Sequence, residues 1–416
     1  MNWISQVLEA SQEAETPVSF IYWSAIAAIA ATAGNNVYMN RKGIYQLRPN
    51  VYVMLMAKSG LGKGFPVNVA KKLVSLTKCT RIISGRNSIQ SVVRDLATSE
   101  TAEDSPTPQF KDSRGFFVSS EFSTSLVKDE ASLTILTDLY DCHWNDEWNS
   151  KLISRANDKV IKPNLTVLSG SSPSHFFDAI PEVNITGGFV GRLFIIYEEK
   201  RSKINPLMSD VIGEAIEDFL FPYEKLSTHL LDIYNATKEK ETRFKWTPSA
   251  ARIWEAWYRP FRKLEVQDKT GYGERLPDHA LKVAMCLSLA EATDCIIRDG
   301  NIEEAIEKTL GLEYSTKRVS EGKGKDPLAP QAKIIFDYML AAKDYTMTRQ
   351  RLLVKGYGDF DSAALDRIMD GIFIENGWII KDRIQENRKG KIVWEYVYIL
   401  TPDAVSQYSK FKEMKK

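Results

Sequence analysis

Cysteine is scarce in this chain. Its 416 residues hold four: Cys79, Cys142, Cys286 and Cys295. Their scattered spacing excludes a zinc knuckle and a disulfide scaffold, and favours reduced thiols. Net charge is equally sparse, with 55 Lys and Arg against 54 Asp and Glu, or +1. Binding to a polyanion must therefore come from local patches, not from the field of the whole chain. Long hydrophobic runs are also missing. The longest, Phe20 to Ala33, is Ala-rich and broken by Ser24 and Thr32. That is short for a bilayer span of about 20 residues, and no basic N-terminal segment precedes it as in a signal peptide. It is expected to be a buried helix, with no membrane partner. Internal repeats and a nuclease-like acidic cluster are absent too.

What is present suits a soluble globular chain: 44% hydrophobic and 26% charged residues. At roughly 150 residues per domain, two or three domains fit. Residues 1–48 read as helical, with a turn near Gly34-Asn35-Asn36. Residues 49–205 alternate apolar strand runs with helical or polar stretches. The strand candidates are 51–56, 80–84, 115–119, 165–169 and 192–197, which predicts an α/β core with a mostly parallel sheet. Residues 98–113 are polar and carry two prolines, as in a surface loop. Residues 206–314 show helical patterns, including Ala250 to Trp257 and Pro277 to Ala292, and no clear strand; they read as a helical lid. Residues 315–330 combine Gly, Pro and charge, as in a linker. Residues 331–416 then run helix (331–342), helix (348–354), helix (361–375), strand, turn, strand. That is the order of a winged helix-turn-helix.

The most informative stretch is Val51-Tyr52-Val53-Met54-Leu55-Met56, followed by Ala57-Lys58-Ser59-Gly60-Leu61-Gly62-Lys63-Gly64. An apolar strand enters a glycine-rich turn ending in Gly-Lys, the layout of a phosphate-binding loop. Gly60 and Gly62 let the backbone bend toward phosphate oxygens. Ser59, Gly60, Leu61, Gly62 and Gly64 would present N–H groups, and Lys63 would reach the outer phosphates. Pro66 suits the first turn of the following helix. Two positions depart from the pattern: Ala57 replaces the first Gly, and Gly64 replaces the hydroxyl residue that ordinarily ligates magnesium. An ordinary Gly-rich turn is the competing reading.

Other strand ends supply partners. Gly115 to Glu121 ends on a carboxylate placed to polarise an attacking water. The preceding residue, Ser120, stands where an acid would help hold magnesium, so the metal ligands are not identifiable. Leu165 to Leu168 ends at Ser169, a candidate γ-phosphate contact. Arg192, between a glycine turn and the strand 192–197, is a candidate arginine finger for a neighbouring subunit. Arg275, opening a helix, is a candidate sensor of bound ATP. The competing readings are a plain turn for Ser169, an arginine covering a sheet edge for Arg192, and capping or a surface ion pair for Arg275.

Taken in order, these residues resemble a family of P-loop ATPases encoded by phages and mobile elements, often fused or adjacent to primases. The resemblance lies in Arg48 to Val53, Lys58 to Gly64, Ile83 to Ser88, Val118 to Phe122, Leu168 to Pro173 and Gly188 to Arg192. It spans roughly residues 15–300. It implies a RecA/AAA-like fold, ATP and Mg2+ as cofactors, and replicative helicase or initiator work. It also implies a homo-oligomeric ring, expected to be a hexamer, in the cytoplasm of a bacterial host. Lys63 and Glu121 would act in one subunit while Arg192 reaches its neighbour. Gly64 and Ser120 leave open a second role, a nucleotide-binding initiator or helicase-loading scaffold with weak hydrolysis. A packaging or defence ATPase is a third.

Partners follow from the charged patches. Single-stranded DNA would pass the ring, with Trp144, Trp148 and Lys151 a candidate loop. Duplex DNA would meet the C-terminal module through Arg349, Arg351, Arg388, Lys389 and Lys391. The helix 361–375 carries Asp361, Asp366, Asp370 and Glu375 against Arg367, which suits it poorly to sit between phosphates. A protein-contact role for the module is the alternative, and a primase is a further expected partner.

Overall fold

A computed structural model describes residues 2–41, 43–85, 87–97, 113–122, 130–142, 147–150, 158–180, 188–206, 221–264, 270–320, 328–388 and 391–405. The chain divides into two compact units, Met1–Lys323 and Gly324–Lys416. The first begins with α1 (Trp3–Ala10) and α2 (Val18–Ala33), then β1 (Val37–Arg41), β2 (Tyr45–Leu47) and β3 (Tyr52–Met56). Next come α3 (Gly64–Thr77), β4 (Arg81–Ser84), α4 (Ile89–Leu96), β5 (Arg114–Ser119) and α5 (Glu130–Asp141). Then follow β6 (Glu147–Ser150), β7 (Asp158–Ile161), β8 (Asn164–Ser171), α6 (Pro173–Ala179) and β9 (Leu193–Tyr197). The unit closes with α7 (Tyr223–Thr237), β10 (Thr242–Arg243), β11 (Lys245–Trp246), α8 (Pro248–Phe261), α9 (Tyr272–Glu291), β12 (Ile296–Ile297) and α10 (Asp299–Ser320).

Five strands form one all-parallel sheet in the order β4-β5-β8-β3-β9. Helices cover both faces, so the fold is α/β and compatible with a Rossmann-like or P-loop core. Each strand expected in the core is present. The interior strand β3 is buried at every position, because neighbours pair with it on both edges and helices cover both faces. Its side chains alternate between the faces. Val53 and Leu55 join the cluster built on α2, α3 and α9; Tyr52, Met54 and Met56 join the cluster built on α4 and α5. Each such burial contributes about 1.5–3 kcal/mol. The first cluster explains α2, which is buried almost all round. By length and composition Val18–Asn36 passes the test for a membrane span, yet 89% of its window is buried inside the protein. It is the central helix of this core.

Three expectations need correction. Residues 37–47 are an antiparallel hairpin, β1–β2, not helix. Residues 206–314 contain short strands: β10 pairs with β1, and β11 with β12. Residues 315–320 complete α10 instead of belonging to the linker. Residues 98–112 and 321–327 lie outside the described residues.

The second unit holds α11 (Ala329–Leu340), β13 (Thr346–Thr348), α12 (Arg349–Lys355), α13 (Ser362–Ile368), β14 (Ile379–Arg388) and β15 (Lys391–Leu400). α13 continues as a π-helical stretch, Met369–Ile374. Thr348 and Asp361 cap α12 and α13 by accepting from Arg351 N and Ala364 N. The strands form an antiparallel sheet in the order β13-β15-β14; β13 was not expected. Ile335, Met339, Leu352, Leu365, Ile368 and Phe373 build a separate core.

Candidate functional site at the carboxyl ends of the sheet

The chain leaves β3 toward α3 and β4 on one side, and leaves β8 toward α6 and β9 on the other. β3 and β8 are neighbours, so their carboxyl ends open a crevice at a topological switch point, the usual ligand position in open α/β sheets. The loop 57–63 lies there. Gly60 and Gly62 adopt positive φ of 85° and 78°. A side chain at Gly62 would also press on Thr16. The loop is held at its base and on its outer side. Ala57 N donates to Ser171 O at 3.1 Å. Thr16 Oγ1 donates to Gly62 O at 3.1 Å, and Arg201 Nη2 donates to Gly60 O at 3.1 Å. Arg201 is itself ion-paired with Glu15. Sequence reasoning missed Glu15, Thr16 and Arg201, because only the fold brings these distant segments to the loop.

Lys58, Ser59, Gly60 and Gly62 are exposed, while Leu61, Lys63 and Gly64 are half-buried. α3 starts at Gly64 with no side-chain cap, which leaves its first amides facing the crevice without an internal side-chain partner. The Lys63 ammonium folds back over its own loop, donating to Ala57 O at 2.7 Å and Lys58 O at 3.0 Å. Desolvation lowers the Lys63 pKa, and the Glu121 carboxylate opposes that shift. The turn carrying Glu121 is shaped by Ser119, whose Oγ donates to Glu121 O and accepts from Glu121 N. Phe122 N donates to Gly170 O at 2.6 Å. Gly170 is where β5, β8 and α3 meet. A Cβ there would lie 2.6 Å from Ser120 O and 3.4 Å from Lys63 Cβ. The missing side chain between two serines was its only trace in the sequence.

The other predicted residues are placed elsewhere. Ser169 is not at a strand end, since β8 runs on to Ser171. It pairs with Met54 and Ser119, is fully buried, and its hydroxyl has no hydrogen-bond partner among the described residues. Gly170 faces Lys63, so pleating turns Ser169 to the opposite face. Arg192 precedes β9 and lies at the amino end of the sheet, 7% exposed. Five strand residues at ~3.3 Å each put it roughly 17 Å along the strands from the loop. Its guanidinium donates to Asp141 through Nε at 3.3 Å and Nη2 at 2.8 Å, and to Gly188 O at 2.9 Å. To reach a neighbouring subunit it would have to break that pair. Arg275 is at the same end. A Cβ at Gly188 would lie 3.3 Å from Arg192 Nη1 and 3.8 Å from Arg275 Nη2.

Among the described residues, no three His, Cys, Asp or Glu side chains converge as metal ligands. With Gly64 and Ser120 in place of a hydroxyl and an acid, the described residues of the loop and of the β5 end do not build a magnesium site of their own.

In the second unit, Arg349 makes a bidentate pair with Asp366 at 2.9 and 2.7 Å and donates to Ser362 Oγ at 2.6 Å. It locks α12 to α13, and that hydrogen bonding raises its pKa. Lys381 donates to Asp370 at 2.7 Å. Two of the four acids on the supposed recognition helix are therefore neutralised internally, and Asp361 is its cap. Arg351 is exposed. Arg388 and Lys391 pair across the end of the β14–β15 hairpin; their side chains, with Lys389, lie outside the described residues. So do Trp144, Lys151 and the Trp148 side chain. Trp394 and Tyr396 are exposed large hydrophobics on β15 that the sequence reading did not single out.

No family model matches this chain, and a search of curated proteins finds no significant match.

Proposed function

We propose that this chain is a P-loop ATPase of RecA/AAA-like type that works on DNA as a ring-forming translocase or replicative helicase of a phage or mobile element. One observation carries the reading: Lys63 and the uncapped start of α3 lie at the carboxyl end of β3, and Gly170 on β8 bridges from Lys63 to the turn after β5 that carries Glu121. Exposed loop amides and the helix start would cradle the phosphates of ATP. The Lys63 ammonium would exchange the carbonyls of Ala57 and Lys58 for phosphate oxygens, gaining a charged partner. Glu121 would orient the attacking water. The second unit, with the three helices α11, α12 and α13, β13 and a long hairpin, fits a winged helix presenting the hairpin end and Arg351 to duplex DNA. A hexameric ring, a primase partner and work in a bacterial cytoplasm belong to the same proposal.

A second reading is a nucleotide-binding initiator or helicase-loading scaffold with weak turnover. Gly64 and Ser120 favour it. ATPase assays with and without single-stranded DNA separate the two. DNA-stimulated turnover that disappears in Lys63→Ala and Glu121→Gln supports the motor. Tight ATP binding without turnover supports the scaffold, and absence of ATP binding overturns both.

A further inference from the structure

The amino end of the parallel sheet carries a second pocket, of about 500 Å³. That is within the range of about 300–1,000 Å³ found for small-molecule sites. Its floor is built from Arg48, His279 and Lys282, which are 1%, 1% and 3% exposed. Arg275 and Asp141 stand at its more open side. Lys282 Nζ donates to Asn50 O at 2.9 Å and to Asn50 Oδ1, and lies 4.3 Å from the centre of the Tyr140 ring. It is thus a cation fixed in place on the loop that enters β3.

Charge at this pocket does not balance. The lining cations Arg48, Arg275 and Lys282 face two lining carboxylates, Asp141 and Asp278. Each carboxylate already has a cation of its own: Asp141 pairs with Arg192, and Asp278 with Arg41. Arg48 is also acted on by Glu241 and is left out of the sum; the remaining described groups are four cations, Arg41, Arg192, Arg275 and Lys282, against two carboxylates, or +2. Arg275 has no hydrogen-bond or ion-pair partner among the described residues. Two further residues lining the pocket carry buried polar atoms with no hydrogen-bond partner among the described residues: the Tyr140 hydroxyl and both ring nitrogens of His279. Buried polar atoms are almost always bonded, so unbonded ones beside an uncompensated positive pocket point to a ligand. Burial and the surrounding cations lower the His279 pKa well below its ordinary value. A neutral imidazole can both donate and accept.

We infer that this pocket binds a small phosphate monoester, with Arg275 and Lys282 on the phosphate and Tyr140 and His279 contacting the rest of the molecule. A phosphate monoester carries close to two negative charges near neutrality, which matches the excess better than a single carboxylate. The site is distinct from the loop 57–63, at the other end of the strands, and its occupancy does not depend on how that loop functions.

The test uses the full chain with Lys63→Ala, which silences the loop, and measures binding of adenosine 5′-monophosphate, inorganic phosphate and adenosine by calorimetry. One equivalent of the monophosphate is expected to bind and to weaken with salt, with inorganic phosphate competing and adenosine not binding. Arg275→Ala should weaken binding tenfold or more, and Arg275→Lys should restore part of it. Arg275 is half-buried and unpartnered, so an unchanged melting temperature should confirm that the variants fold. Binding that vanishes with Lys63→Ala, persists unchanged in Arg275→Ala, or is stronger for adenosine than for its monophosphate overturns the proposal.

Discussion

Gly170 lies directly beneath Lys63: a Cβ on the glycine would come within 3.4 Å of both Cβ and Cδ of the lysine. The same Cβ would be 2.6 Å from the carbonyl of Ser120, a backbone atom that cannot rotate away. This contact ties the phosphate-binding candidate just before α3 to the acidic strand end of β5 through the intervening β8.

Gly170→Ala is therefore expected to push β5 and β8 apart at their carboxyl ends. Overpacking of this kind costs about 1–3 kcal/mol. Thermal unfolding should show the loss, and ATP affinity should fall with it because Lys63 is displaced. Wild-type stability and affinity together would show that the contact relaxes freely.

Arg192 is expected to behave as a structural residue. Arg192→Ala strands Asp141 beside a buried surface. Breaking a fully buried pair costs roughly 3–5 kcal/mol, and Asp141 is 33% exposed, so a loss at or below the low end is expected. Arg192→Ala and Asp141→Asn should destabilise non-additively in a double-mutant cycle. Additive losses would show that the pair contributes nothing and would return Arg192 to the list of candidates for a neighbour's site.

Burial lowers the Lys282 pKa from 10.5 to about 8. Between those values the unfolded chain binds the proton and the folded chain does not. The cost of burying the ammonium is thus fully present below about pH 8 and is relieved as pH rises toward 10.5. The buried thiols Cys142 and Cys286, raised to about 11 and about 12, act in the opposite direction above pH 9. The difference between wild type and Lys282→Met isolates the lysine. Relative to the variant, wild-type stability should rise from pH 8 to pH 10; a flat difference would refute the shift.

The cations of the second unit divide into two groups. Arg349→Ala removes the bidentate contact to Asp366, a half-exposed pair worth about 0.5–1 kcal/mol. It should lower the stability of that unit and leave the salt dependence of DNA binding nearly unchanged. Neutralising Arg388, Lys389 and Lys391 together should do the reverse, weakening DNA binding and flattening its salt slope. An unchanged slope would mean the hairpin end does not meet phosphate.

Much of the core was legible from local pattern alone. The five strands were visible because each is a short apolar run between polar or helical stretches. The loop was visible because Gly60, Gly62 and Lys63 are adjacent in sequence. The β1–β2 hairpin was not, since its residues show no clean apolar alternation and only β10 and the core behind it give them a reason to extend. Helical continuation of 315–320 was hidden behind a charged composition that also suits a linker.

What the sequence determined by itself was the sheet, the glycine turn and the identity of the groups at strand ends, because these depend on side-chain period and backbone freedom over a few residues. What only the tertiary structure decided was which of those groups meet. Lys63 and Glu121 face one crevice because β3, β8 and β5 are neighbours. Arg192 and Arg275 are carried to the opposite end of the same strands, where Asp141 holds one and the other lines a charged pocket. Ser169 is turned away by the pleat. Parallel strands separate residues at their two ends by the full length of the sheet, and no local pattern records that distance.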